Sequence, residues 1–429
     1  MAPSLKPSAA ATLRNYIEAT TTGEKPTLPG AILQILDAHG NTLFSHASEP
    51  HTTDTLITIH SCSKIIGAIA FMQLVDCGLV SLDDASIIEK WLPELAAKKV
   101  LTGSKQGADG KKEWLFEDRE GEITPRMLLN HTNGTGMSFF HADLREYLDE
   151  GWDARNEGQD YFTTLLESPL LWQPGTKTNY SQGFEWLSVL IERLTKRSLE
   201  DVLREEIFEK LGDKRTGFRG EMGGSVVAGE GVDFWPQNLR LEDGFMAIPG
   251  FAEKKVERED AWPTGKHHVQ TVGTGLVSSV ADMAHIFSIL LPQNAGVDPI
   301  SGTRILSASS AAEITRAQLP ERIQNDTRNL PSAYPLFIPS EVQAQHVDPA
   351  GSFGLGCAIQ GADRVLKDGK RGRSKGTVYW YGVSNSAYWV DGEKGLVVVM
   401  AGNFFPFEDP KWTEFVAGVE GLLYEGLEE

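Results

Sequence analysis

Residues 61–75 read Ser-Cys-Ser-Lys-Ile-Ile-Gly-Ala-Ile-Ala-Phe-Met-Gln-Leu-Val, and Gly78 supplies a stop soon after. At helical spacing the apolar side chains of Ile65, Ile66, Ala68, Ile69, Ala70, Phe71, Met72, Leu74 and Val75 cover nearly every face. Such a helix has no polar side to turn to water, so it must be buried. The fold therefore has to wrap other layers around it. A chain of 429 residues, 41% hydrophobic and 23% charged, has the material for that core, either as two or three domains or as one large fold carrying an inserted lobe.

The surrounding elements are legible from their own patterns. Residues 31–36 and 42–46 are extended runs joined by the turn Asp37-Ala38-His39-Gly40-Asn41, a β-hairpin. A strand-like stretch at 56–60 leads straight into Ser61. The middle of the chain predicts helices at 123–130, 182–195 and 199–211, then 280–291 and 308–317. Residues 103–121, 220–231 and 236–268 have irregular or polar composition and read as loops. Strands follow at 354–360, 377–381, 386–390 and 396–401, and a helix at 411–425 closes the chain. Strands at both ends with helices between them predict an α+β fold: an antiparallel sheet built from both chain ends with an all-helical lobe, at about 85–270, inserted into one catalytic domain spanning 1–429.

Charge and cysteine content narrow the function. Forty Lys and Arg against 59 Asp and Glu leave a formal charge of −19, which repels phosphate backbones and anionic lipid, so neither nucleic acid nor a membrane is an expected partner. No stretch approaches the roughly 18 uncharged apolar residues of a membrane span. Residues 1–30 mix Lys6, Arg14, Glu18 and Glu24 with small residues and lack an apolar signal region, so a cytoplasmic location is expected. Cys62, Cys77 and Cys357 form no Cys-x-x-Cys pair and no metal spacing. Neither a metal nor another cofactor is expected. His267-His268 reads as a solvated loop pair, not a ligand pair.

The unusual residue is Lys64. Lysine is rarely buried, yet this one begins a helix with no route to water. It lies one turn after Ser61 on the same face, so hydroxyl and amine can meet. Burial and the positive end of the helix both disfavour the ammonium, and a neutral amine beside a hydroxyl is a general base beside a nucleophile. The bland alternative has Ser61 capping the helix and Lys64 snorkelling to the surface.

Longer motifs surround this pair. Ile57-Thr-Ile-His-Ser61-Cys-Ser-Lys64 with Gln73-Leu-Val-Asp-Cys-Gly78 resembles the first motif of the serine β-lactamase and penicillin-binding-protein superfamily, in its class C and esterase branch. Leu128-Leu-Asn-His131-Thr-Asn-Gly134 resembles the branch's Leu-Leu-x-His-Thr-Ser-Gly segment. Pro174-Gly-Thr-Lys-Thr-Asn-Tyr180-Ser-Gln182 resembles its Tyr-Ser-Asn motif, and Gly273-Thr-Gly-Leu-Val-Ser-Ser279 the segment before a late helix. The matches keep the family's order across residues 30–405. The resemblance implies a β-lactamase/transpeptidase-like sheet flanked by helices, an acyl-enzyme on Ser61, and a proton shared between Lys64 and Tyr180. It also implies an oxyanion hole from the backbone N–H groups of Ser61 and Val383, with Gly382 keeping that strand edge clear.

Two departures bear on substrate. Gln182 stands where class C β-lactamases carry an Asn that contacts the substrate amide. Trp380-Tyr381-Gly382 stands where penicillin-binding proteins and β-lactamases carry Lys-Thr-Gly or His-Thr-Gly. An indole cannot grip the carboxylate that a cation would, and Trp-x-Gly resembles the esterases and fungal lovastatin-type acyltransferases. Gln182, Trp380, Tyr381 and Gly382 are the expected substrate-binding residues. The expected function is a serine esterase or acyltransferase of secondary metabolism that moves an acyl group from a small, largely neutral ester or thioester, free or carrier-bound, to a small acceptor. A β-lactamase or D-amino peptide hydrolase is the alternative enzyme, and an inactive binding protein on the same scaffold the alternative without chemistry. No Gly-x-Ser-x-Gly elbow, His-Glu-x-x-His motif or P-loop is present.

Overall fold

A computed structural model describes residues 3–148, 165–220, 224–226, 233–248, 257–258, 267–268, 270–320, 323, 348 and 350–428. The chain opens with helix α1 (Pro7–Thr21), which the composition of residues 1–30 does not announce. Strands β1 (Ile32–Asp37) and β2 (Thr42–Ala47) form the expected hairpin. β3 (Leu56–Thr58) runs into a 3-10 turn, His60–Cys62, and the α-helix proper, α2, occupies Ser63–Asp76. Every residue of α2 from Ser63 to Met72 is buried, as a helix without a polar face requires.

The polar stretch at 103–121, expected to be a loop, instead contributes to a hairpin, β4 (Val100–Gln106) with β5 (Lys112–Glu117). Its strands are largely exposed, so neither face carries the apolar alternation that would have identified them. Helices α3 (Pro125–Leu129), α4 (Gly183–Thr195) and α5 (Leu199–Leu203) follow, α5 running on through a π-turn to Leu211. Within the expected loop at 236–268, β6 (Asn238–Leu241) and β7 (Gly244–Ala247) make a second hairpin. Most of 220–231 lies outside the described residues, and His267–His268 occupies a two-residue strand whose side chains are likewise outside them.

β8 (Val277–Ser279) pairs antiparallel with β3, and α6 (Val280–Ser288) and α7 (Ala308–Thr315) follow. The C-terminal part supplies β9 (Ser352–Phe353), β10 (Ala358–Ile359), β11 (Val378–Gly382), β12 (Ser386–Asp391), β13 (Leu396–Ala401), the short β14 (Phe404–Phe405) and α8 (Pro410–Gly426). A seven-stranded antiparallel sheet runs in the order β9-β10-β11-β12-β13-β1-β2, so β1, from the N-terminal end, pairs with β13 from the C-terminal end. This is the α+β architecture expected.

Period-two alternation divides the central strands between two cores. In β13, Val397, Val399 and Ala401 join the cluster around α2, whereas Leu396, Val398 and Met400 join a second cluster with α1 and α8. α8 starts firmly: Pro410 occupies the first turn and the Asp409 carboxylate accepts from the N–H groups of Lys411 and Trp412. Glycines let α1 approach it, for a Cβ on Gly426 would collide with Ala9 and one on Gly418 with Tyr16. Among the described residues, no helix is long and apolar enough to cross a membrane.

One buried ionic knot on α6 gives the fold a predictable pH response. His285 places Nδ1 2.9 Å from Asp213 and Nε2 2.9 Å from Asp298. Burial opposes its charge, but the two carboxylates outweigh burial and push its pKa up to about 9. A raised histidine pKa stabilises below the unfolded value of about 6.5 and ceases to do so as pH climbs through 9. Asp282 nearby, raised to about 6 by burial and by Asp213, is mostly ionised at the start of that window, and its remaining titration there lowers stability in the same direction. Stability should therefore decline between pH 6.5 and 9 by up to about 3 kcal/mol from this site, and His285→Gln should remove that slope in chemical denaturation series.

Candidate active site

Ser61 sits in the middle of the 3-10 turn between β3 and α2. His60 just before it takes a positive φ of 45°, an uncommon conformation for a residue with a side chain. Its buried ring is packed against Phe405 and bonded to Gln237, and burial with Lys64 nearby lowers its pKa to about 3. His60 is thus a neutral wedge holding the turn.

Lys64, one turn on, is 1% exposed, so it does not snorkel. Its Nζ donates to the Gly273 carbonyl at 2.6 Å and to Ser61 Oγ at 3.3 Å. Tyr180 OH lies 2.7 Å from the same Oγ, and Lys64 Nζ stands 4.8 Å from the Tyr180 ring centre. Ser61 Oγ is therefore contacted by a phenol and an amine at once. Ser61 does not act as a helix cap; α2 begins without a side-chain cap. Ser63 points elsewhere, its buried Oγ accepting from Leu276 N at 3.3 Å.

The segment around His131 explains how Tyr180 is held. His131 adopts a left-handed φ of 61°, and its carbonyl accepts from Asn179 N. Its Nδ1 accepts from Ser181 N at 3.3 Å and lies 3.1 Å from Ser181 Oγ. Asn133 Nδ2 donates to that Oγ as well, at 2.9 Å. Burial, with Lys64 adding to it, keeps the His131 imidazole well below the usual histidine range. A neutral ring can accept at Nδ1, and it packs 4.8 Å from the Tyr180 ring. The sequence motif contained His131, but nothing in its spacing assigned it this duty.

β11 brings the third group of expected residues. A Cβ on Gly382 would collide with Ser386 Oγ and fall 2.8 Å from the Ile59 carbonyl, so only glycine lets the strand edge run against the Ser61 turn. Val383 follows directly at that edge, half-buried. Trp380 is half-buried, 5.5 Å from the Tyr180 ring and 5.3 Å from Phe353, and packs with Leu319, Ile323 and Phe353. Phe140 completes the aromatic surround of Tyr180 at 6.0 Å. Sequence reading did not single out Phe140 or Phe353, which stand in segments with no helical or strand periodicity of their own.

One expected substrate-binding residue faces elsewhere. Tyr381 alternates to the opposite face of β11, where it borders Phe407, Trp412 and Val416 and belongs with the α1 and α8 core; adjacent strand residues point to opposite sides, so Trp380 and Tyr381 cannot both face Ser61. Gln182 is buried at the start of α4, donating through Nε2 to Ser168 Oγ at 3.1 Å. Among the described residues no cluster of His, Cys, Asp and Glu has the arrangement of a metal site.

Comparison with known proteins places the chain in a family. An acyltransferase, calJ, of Penicillium decumbens is 26% identical over 95% of both chains. Esterase EstB of Burkholderia gladioli is 26% identical over 88% of this chain and 86% of its own. The solved structure of a simvastatin synthase mutant from Aspergillus terreus shares the fold with a TM-score of 0.76, at 23% identity, covering 98% of this chain and 95% of that one. The family model described as Beta-lactamase matches residues 19–419, and the chain belongs to that family.

Proposed function

We propose that this protein is a serine acyltransferase or esterase that carries an acyl group on Ser61. The observation that supports it is the convergence of Tyr180 OH at 2.7 Å and Lys64 Nζ at 3.3 Å on one hydroxyl. Ser61 Oγ attacks the acyl carbonyl carbon while its proton passes to the Lys64 and Tyr180 pair; the C–O or C–S bond breaks, and the alcohol or thiol leaves with that proton. A second alcohol, or water, then gives up a proton to the same pair and bonds to the acyl carbon; the Ser61 Oγ–acyl bond breaks and Oγ takes that proton back. The N–H groups of Ser61 and Val383 are assigned to the developing oxyanion. A small, largely neutral ester or thioester, free or carrier-bound, fits a site whose wall is Trp380 and Phe353 with no cation at the third-motif position.

That assignment predicts specificity. Neutral acyl donors of short to medium length should acylate Ser61 in preference to anionic β-lactams by roughly tenfold to a hundredfold. Trp380→Lys exchanges an apolar surface for a charge-assisted partner and should narrow the gap. Competition kinetics with p-nitrophenyl butyrate and nitrocefin on both proteins measures it. A wild type that prefers nitrocefin would move the β-lactamase reading to the front.

A further inference from the structure

α4 carries a carboxyl group that the chemistry above leaves unused. Glu185 is 1% exposed, and among the described residues no other residue hydrogen-bonds its carboxyl; its own backbone N–H is the donor within reach. A buried carboxyl with so little hydrogen bonding is costly and calls for a reason. Its position supplies one. A Cβ on Gly273 would collide with Glu185 Oε1, so the carboxyl lies against the very residue whose carbonyl accepts from Lys64 Nζ, 2.6 Å away. Glycine at 273 is what lets the carboxyl come that close.

The electrostatic surroundings are sparse. Burial raises the Glu185 pKa; Lys64 and, after it, the residue's own backbone N–H oppose that rise. Lys64, from α2, is the charged side chain that acts on it; residues 270–276 bring no ionisable group. Of the charges on the other elements packed against α4, Arg126 of α3 pairs with Asp83 and Glu313, Glu200 of α5 with Arg204 and Glu89 of the helix Ser86–Trp91 with Arg119, while Lys90 of that helix lies over Trp91 and Asp201 of α5 acts on Glu192.

We infer that Glu185 is a positioning residue for the proton on Lys64, the buried counter-charge across Gly273 that stabilises the ammonium formed when Ser61 gives up its proton. This rests on the reading of Ser61 and Lys64 as nucleophile and base. The two groups exchange charge with each other: Glu185 holds its own proton more firmly when Lys64 is neutral and releases it more readily when Lys64 is charged.

The test is the pH dependence of Ser61 acylation by p-nitrophenyl butyrate, followed by intact mass in wild type, Glu185→Gln, Glu185→Leu and Glu185→Asp. Removing the negative charge disfavours the protonated base, so the acid limb should move about one unit to lower pH in the Gln and Leu variants. Glu185→Asp keeps the charge and should keep the limb near its wild-type position. Leu also removes the unpaired polar group, so a folded variant is available even if Gln packs poorly. A lower plateau rate with an unmoved limb in both neutral variants means a purely structural role and overturns the inference while leaving the Ser61 reading intact. A wild type that forms no adduct overturns both.

Discussion

Replacing Lys64 with Arg should lower kcat/KM about 10²–10⁴-fold, the range that a positioned general base contributes. The expectation follows from where the amine sits. Lys64 is 1% exposed, with Nζ between the Gly273 carbonyl and Ser61 Oγ. Arginine preserves the positive charge but cannot give up its proton, and its planar fork does not fit a site shaped around a point donor. If Lys64 served only as a fixed charge for Tyr180, the arginine protein would retain most activity. A Lys64→Met variant separates the two cases further, since it removes charge and base together and should match the arginine variant.

Ser61→Ala should have an equal or greater effect, at least about 10³-fold on kcat/KM, with little loss of stability. Ser61 is not a helix cap, and without its hydroxyl Lys64 still has the Gly273 carbonyl as a partner. Ser63→Ala is the matched control. Its hydroxyl accepts from Leu276 N in the core, so the change should cost about 1 kcal/mol of stability and leave acylation near wild type. Thermal melts and initial rates on the two variants should thus give opposite patterns. A Ser61 variant with more than about one percent of wild-type rate would argue against a covalent intermediate there.

The pattern of what was legible follows from physics. The all-apolar helix announced its burial because burial leaves no other composition open, and with it came Ser61 and Lys64, whose spacing on a helix is fixed geometry. β13 was equally plain, being buried on both faces. α1 was not, because it buries only Leu13 and Ile17 and surrounds them with small and charged residues. The β4–β5 hairpin was missed because its stability does not come from an apolar face. Glu185 escaped for a different reason. On α4, Glu185, Ser188 and Glu192 form a polar stripe that reads as a solvent face, yet all three are buried. Glu185 lies against Gly273, Ser188 Oγ accepts from Val272 N, and Glu192 Oε1 accepts from Leu199 N. The tertiary path of residues 270–273 over Glu185 and Ser188, and the turn to Leu199 beside Glu192, convert that stripe from surface to interior. Tyr381 failed for the simplest reason, the two-residue period of a strand.

The central claim is that an acyl group resides covalently on Ser61 during turnover. The direct measurement is to incubate the wild-type protein with p-nitrophenyl butyrate, quench in acid, and combine intact mass with peptide mapping. The account predicts a single butyryl adduct, located on Ser61 and absent from Ser61→Ala under the same conditions. An adduct on Ser63 or Tyr180, or turnover by the wild type with no adduct detectable at any quench time and no burst of p-nitrophenol, would contradict it.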